Sequence, residues 1–262
     1  MSPEDERFAT EIEKSIYNVG LANQDRGAGL RYHTILEGKK EKSTHENTCC
    51  EGQGTRLLGS LPEHIYSIAP DGVYVHLYEP SSIRWSQSGQ PVEMTMNTQF
   101  PFAPKVEVSL NTSSPIEANI RIRVPSWASG QMALLINGRP AGSGHPGSYV
   151  SLERKWRSGD QIEFTLPASV RVRKYSGSDQ VADATRFSVE YGPILLAAIG
   201  SSNVTIAMDR DHELKDIAGY LQPIDGEKLQ FSVRGNAGLK FVPYWQIVEG
   251  EFTCYPKASM DV

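Results

Sequence analysis

The 262-residue chain predicts a mainly β protein, built of antiparallel β-sandwich, jelly-roll-like domains preceded by two helices. Three observations carry this. Apolar residues recur at helical spacing only ahead of Pro70, and beyond it the period changes to two. The later apolar runs are short and are separated by turn chemistry such as Asn137-Gly138, Pro146-Gly147 and Ser158-Gly159-Asp160.

The first helix is read over residues 3–21, where Phe8, Ile12, Ile16 and Val19 form an apolar stripe behind Ser2 as N-cap and Pro3 at the first helical position. A polar stretch over 23–48 follows. Leu57, Leu58, Leu61, Ile65 and Ile68 resume helical spacing, with Pro62 placed to kink or split a second helix that ends near Ser67. Asp71-Gly72 then supplies a turn, and Val73, Val75 and Leu77 alternate with Tyr74, His76 and Tyr78 as a first strand. Further strands are read over 92–96, 106–110, 120–124, 134–136, 149–152, 162–166 and 170–172. Those over 187–191, 194–199, 229–233 and 245–254 complete a second sandwich or C-terminal β extension. The expected domains are 1–68, 69–170 and 171–262. Two helices with continuous apolar stripes cannot bury them on each other alone, so they expect neighbours.

Composition narrows the function classes. With 39% hydrophobic and 22% charged residues the chain has enough apolar content for a core, and no apolar run approaches the roughly 18 residues of a spanning helix. No membrane partner is expected. The net charge of -5, with Lys39, Lys40, Lys42 and Arg171, Arg173, Lys174 set among acidic or alternating residues, argues against nucleic acid. The N-terminal Met-Ser-Pro-Glu-Asp-Glu-Arg lacks the plan of a signal peptide, so the chain is cytosolic or its true beginning lies upstream, and the compartment stays open.

Three cysteines are too few for a disulfide scaffold and read as free thiols or metal ligands. The densest chemistry lies over 44–56, in Thr-His-Glu-Asn-Thr-Cys-Cys-Glu-Gly-Gln-Gly-Thr-Arg. A thiol at a helix N-terminus has a depressed pKa, because unpaired N–H groups and the helix dipole favour thiolate, and Arg56 one turn on adds to this. A thiolate is both a nucleophile and a soft metal ligand, so the adjacent Cys49 and Cys50 can serve as one attacking and one anchoring zinc, with His33, His45, Glu46 and Glu51 as local candidates to complete a tetrahedral site. A local zinc site from His33, His45, Cys49 and Cys50 is one such reading. Two buried small residues is the structural alternative.

Other features have plainer readings. Glu41, Glu46 and Glu51 read as solvated carboxylates, the Arg121/Arg123 and Arg171/Arg173 pairs as polar faces of half-buried strands, and Trp85, Trp127, Trp156 and Trp245 as packing residues rather than sugar platforms.

Asn47-Thr48-Cys49-Cys50, then Arg56-Leu57-Leu58-Gly59-Ser60-Leu61-Pro62-Glu63-His64-Ile65-Tyr66-Ser67, then Asp71-Gly72-Val73-Tyr74-Val75-His76-Leu77-Tyr78 resemble the β-L-arabinofuranosidase-type glycoside hydrolases (family 127-like, formerly domain of unknown function 1680). Ile120 to Ala128, Ile136-Asn137-Gly138, Trp156 to Asp160 and Tyr191-Gly192-Pro193-Ile194 are similar to that family in order and spacing. The resemblance implies an α/α six-fold toroid carrying the active site, of which this chain would hold the last two helices, followed by β-sandwiches. It further implies a carbohydrate substrate, zinc, and retention of configuration. Carried over by position, Cys49 matches the nucleophile and a zinc ligand, Cys50 a zinc ligand, and Tyr32 a substrate-contacting tyrosine.

The family's acid/base glutamate and its remaining zinc ligands have no counterpart here. Glu51-Gly52-Gln53 stands where Pro-Pro-Asn often follows the cysteine pair, and Asn47 where a cysteine often precedes it. The expectation is therefore the C-terminal portion of a retaining hydrolase, missing an N-terminal toroid segment and inactive alone. A non-catalytic carbohydrate-binding module, or a homodimer formed through the sandwich, is the alternative.

Overall fold

The computed structural model describes residues 5–25, 29–42, 49–177, 185–208 and 213–260. The chain is mainly β, in two compact units that interleave along the sequence: Met1–Glu13 with Gly59–Ala168, and Lys14–Leu58 with Ser169–Val262.

The first unit holds a six-stranded and a four-stranded sheet. The six-stranded sheet runs, edge to edge, Arg139–Gly144, Met132–Ile136, Gln161–Thr165, Lys105–Thr112, Gln90–Thr98, Ser81–Gln87. The four-stranded sheet runs Ser148–Trp156, Ile116–Val124, Gly72–Val75, Tyr66–Ala69. Alternation explains the inward faces: Val73, Val75, Ile120, Ile122, Val108 and Leu134 are fully or almost fully buried, each such side chain contributing about 1.5–3 kcal/mol relative to exposure.

One pairing departs from the antiparallel expectation. Gly72–Val75 lies parallel to Ile116–Val124, because the chain between them forms three strands of the other sheet and so supplies the long crossover a parallel pair requires. Gly72 sits where a Cβ would lie 2.0 Å from the Asn119 carbonyl oxygen, so only glycine admits this approach.

The second helix is shorter than its apolar spacing predicts. The first described stretch, α2, runs Cys49–Gly59, a 3₁₀ turn over Leu61–His64 takes up Pro62, and Tyr66–Ala69 is a strand hydrogen-bonded to Gly72–Val75. The tight Asp71-Gly72 turn gives these residues a strand partner, which overrides the i, i+3 spacing of Ile65 and Ile68. Ile68 is exposed.

The first helix, α1 (Glu6–Ser15), continues as a π-helical turn over Ile16–Gly20, and its predicted N-cap lies outside the described residues. Its buried side is Glu6, Ala9, Thr10 and Glu13, while Phe8 and Val19 of the predicted stripe are exposed. The reason is a buried cation. Arg123, predicted on a polar strand face, is fully buried and pairs with Glu13 and with Glu6 (Nε to Oε1, 3.4 Å). Trp127 Nε1 also donates to Glu13 at 2.6 Å, and the Ser126 N–H donates to Glu6 at 3.1 Å. The polar side of the helix is thus the one that matches the cation.

In the second unit, ten strands share one sheet among the described residues, with Phe187, Val189, Ile194, Leu196 and Phe241 in its core. The predicted strand over 245–254 is instead a 3₁₀ turn at Tyr244–Gln246 and a two-residue strand at Phe252–Thr253. Thr205–Met208 pairs in parallel with Lys257–Met260. Trp85, Trp127 and Trp156 are buried, as packing residues should be. No helix among the described residues is long and apolar enough to cross a membrane.

Candidate active site

Cys49 and Cys50 are the first described residues of α2. Cys49 is exposed and Cys50 half-buried, and their sulfurs lie 3.9 Å apart. The Cys50 thiol is pushed above its ordinary range by its hydrogen bond to Cys49, with desolvation adding to it. The sequence predicts a depressed thiol here, and at Cys50 the direction is the opposite.

The spacing bears on zinc. Two thiolates at about 2.3 Å from a tetrahedral ion stand roughly 3.8 Å apart, so the pair as folded already matches two corners of such a site. Among the described residues no group of three or more His, Cys, Asp or Glu stands ready to hold a metal. His45, Glu46 and Asn47 lie outside the described residues, and Glu51 is half-buried in the first turn of α2. His33 and Glu41 are exposed.

Tyr32 lies in the same unit. It is 51% exposed and meets the His33 ring edge-on, with centroids 4.5 Å apart. Its segment is drawn to α2 through Leu30, whose Cδ1 lies 2.6 Å from where a Cβ on Gly54 would stand. Glycine in the middle of this helix costs about 1 kcal/mol against alanine but lets Leu30 approach.

Two side chains that the sequence reading overlooked fasten this loop. Arg31 is buried and donates to the carbonyls of Glu41 (2.6 Å) and Gln24 and to Asp25 (3.1 Å). Lys40, read only as part of a short basic run, is buried. Its Nζ donates to the Ala22 and Tyr244 carbonyls at 3.0 and 2.9 Å and stands 4.1 Å from the Tyr244 ring centre. Burial, with repulsion from Arg31, lowers its pKa to about 8. A lysine followed by a threonine- and glutamate-rich loop carries no signal of burial, so only the fold reveals it.

Cys254 is not part of the pair's chemistry. It is buried beside Tyr244, Phe252 and Ala197, and burial pushes its thiol well up.

Comparison with known proteins agrees with this architecture. Residues 72–168 match the family model for the β-L-arabinofuranosidase GH127 middle domain. A non-reducing end β-L-arabinofuranosidase of Bifidobacterium longum subsp. longum is 25% identical over 212 residues, which is 73% of this chain and 32% of the relative. A GH127 β-L-arabinofuranosidase from Geobacillus stearothermophilus T6 shares the fold with a TM-score of 0.75 at 20% identity, over 97% of this chain and 47% of that one. A second GH127 β-arabinofuranosidase gives a TM-score of 0.79 at 19% identity, over 97% and 46%. The chain spans about a third of the length of the curated relative and about half that of the solved structures. The chain is GH127-like, and residues 72–168 are the part that matches the model of that family's middle domain.

Proposed function

We propose that this chain is part of a retaining glycoside hydrolase acting on non-reducing-end β-L-arabinofuranosides or related plant glycans, with Cys49 as nucleophile. The observation that carries it is the exposed thiol of Cys49, 3.9 Å from Cys50 in α2, in a chain whose residues 72–168 match the GH127 middle-domain model. On this reading residues 1–68 are the end of an α/α toroid, 69–170 a first β-sandwich, and 171–262 a second β-sandwich or C-terminal β extension.

Cys49 Sγ would attack the anomeric carbon and form a thioglycoside, which water then hydrolyses, so that two inversions give retention. A carboxylic acid supplied outside the described residues would protonate the leaving oxygen, at the roughly 5–5.5 Å carboxyl-to-nucleophile spacing typical of retaining enzymes. Zinc held by Cys49 and Cys50 would favour the thiolate at neutral pH. Cys50 would anchor that zinc, Tyr32 would pack against the sugar ring, and Arg31 with Lys40 holds the Tyr32 loop in place. The acid/base glutamate that the resemblance implies has no counterpart in this sequence, so the chain alone is expected to show little turnover.

Nuclear magnetic resonance titration with methyl β-L-arabinofuranoside tests this reading without requiring catalysis. Shifts concentrated at Cys49, Cys50 and Tyr32, absent with a hexopyranoside, are expected. Equal shifts with both sugars, or none at these residues, would overturn it.

A further inference from the structure

The first unit carries a groove of about 650 Å³ that the proposed reaction leaves unused. It lies between two sheet edges: the Arg139–Gly144 strand ends the six-stranded sheet, and the Ser148–Trp156 strand ends the four-stranded one. Its volume falls within the roughly 300–1,000 Å³ of small-ligand clefts. Ile136 and Leu152, both buried, give it an apolar floor.

The walls are charged. Arg139 and Arg154 are both exposed, and neither forms an ion pair among the described residues. Arg154 lies over the Trp156 ring at 5.2 Å, which braces its guanidinium, and its Nε reaches only the Lys155 carbonyl at 3.4 Å. Glu153 lines the groove as well, and the neighbouring Asp160 carboxylate attracts Arg154 and Arg157 through space. The nearby Asp160 carboxylate is engaged by Asn137 and the Arg157 N–H.

The edge strand is also irregular at this place. Leu134 pairs with Gly142 and Leu135 with Pro140, which leaves Ala141 as an extra residue bulged into the groove lining. Bulges at sheet edges end regular pairing and re-aim side chains.

We infer that this groove binds a uronate-bearing oligosaccharide, with a sugar carboxylate held by Arg139 and Arg154, a hydroxyl donating to Glu153, and the C–H face of a ring on Ile136 and Leu152. Guanidinium forks match carboxylates bidentately, and the apolar floor with polar walls suits an amphipathic sugar ring. The inference rests on the proposed glycan-hydrolase reading, to which it adds a second, acidic subsite class remote in sequence from the thiols.

The test is isothermal titration of the full 262-residue chain with an oligogalacturonide, a neutral arabino-oligosaccharide and polyglutamate. The expected result is binding of the oligogalacturonide alone, weakened by added salt. The R139A/R154A double variant should weaken it at least tenfold, the charge-preserving R139K/R154K variant less, and Ala141→Trp, which fills the groove, should abolish it. Near-ultraviolet circular dichroism checks that each variant is folded. No oligogalacturonide binding, binding unchanged in these variants, or equal binding of polyglutamate or the neutral glycan would overturn the inference. Arabinofuranoside shifts at Cys49 and Tyr32 report the proposed reaction separately, so the two readings fail independently.

Discussion

The Arg123 guanidinium is fully buried and ion-paired with the Glu13 carboxylate, joining the central strand of the four-stranded sheet to α1 across 110 residues of sequence. Glu6 completes the cluster, so two carboxylates meet one guanidinium, and neutrality requires one retained proton. Burial accordingly raises the Glu13 pKa above its ordinary range.

Removing Glu13 leaves the buried Arg123 guanidinium with Glu6 alone, at 3.4 Å, and leaves the buried Trp127 Nε1 without its acceptor. Glu13→Ala should therefore cost about 3–5 kcal/mol in urea unfolding, and Glu13→Gln distinctly less, because Trp127 and Arg123 keep an oxygen to bond. The pH sign follows from the raised carboxyl pKa. The folded state holds a proton that the unfolded chain releases, so this stabilisation is lost as pH rises above the ordinary carboxylate range, and Glu13→Gln should remove that slope.

His76 gives the opposite slope. Its Nδ1 meets the Tyr149 hydroxyl at 2.7 Å and its Nε2 the Ser67 hydroxyl at 2.8 Å. Burial, then repulsion from Arg123 and His64, lowers its pKa from 6.5 to about 4. The unfolded state binds the proton more readily between these values, so stability should fall as pH drops from 6.5 towards 4, by up to about 3 kcal/mol. Unfolding midpoints across that range in wild type and His76→Gln measure it. A wild-type slope that His76→Gln leaves intact would assign the effect to other groups.

Gly72→Ala should destabilise by at least about 3 kcal/mol, because its Cβ would meet backbone rather than a movable side chain at Asn119. Gly138→Ala is the control, since its positive φ of 73 carries strain but a Cβ there meets nothing within 4 Å. A smaller loss at Gly72 than at Gly138 would contradict the close approach.

Zinc, if held by this pair, should be seen through sulfur. X-ray absorption at the zinc edge of the metal-loaded chain is expected to show two sulfur neighbours at about 2.3 Å, and one in Cys50→Ser. Bound zinc with only nitrogen and oxygen neighbours would remove both cysteines from the metal site.

These residues show what was legible in the sequence. Strand after strand was readable from period-two alternation, because each strand buries one face, and Asp71-Gly72 and Asn137-Gly138 marked their turns. Tyr66 and Ser67 were misread as the end of a helix, since that helical spacing is short enough for a hairpin partner to override. Arg123 was misread and Lys40 overlooked for a different reason. A charged side chain is buried only when partners distant in sequence, such as Glu13 or the Tyr244 carbonyl, converge on it, and no local pattern records that. The adjacent cysteines stood out by composition, and their spacing at a helix end needed the fold.

The central claim is that Cys49 is a sugar-directed nucleophile. Peptide-mapping mass spectrometry after reaction with an arabinofuranose-configured epoxide tests it most directly. The account predicts a single adduct on Cys49, slowed by methyl β-L-arabinofuranoside and absent from Cys49→Ala, while buried Cys254 stays unlabelled. Labelling shared between Cys49 and Cys50 and indifferent to the competing sugar would contradict it.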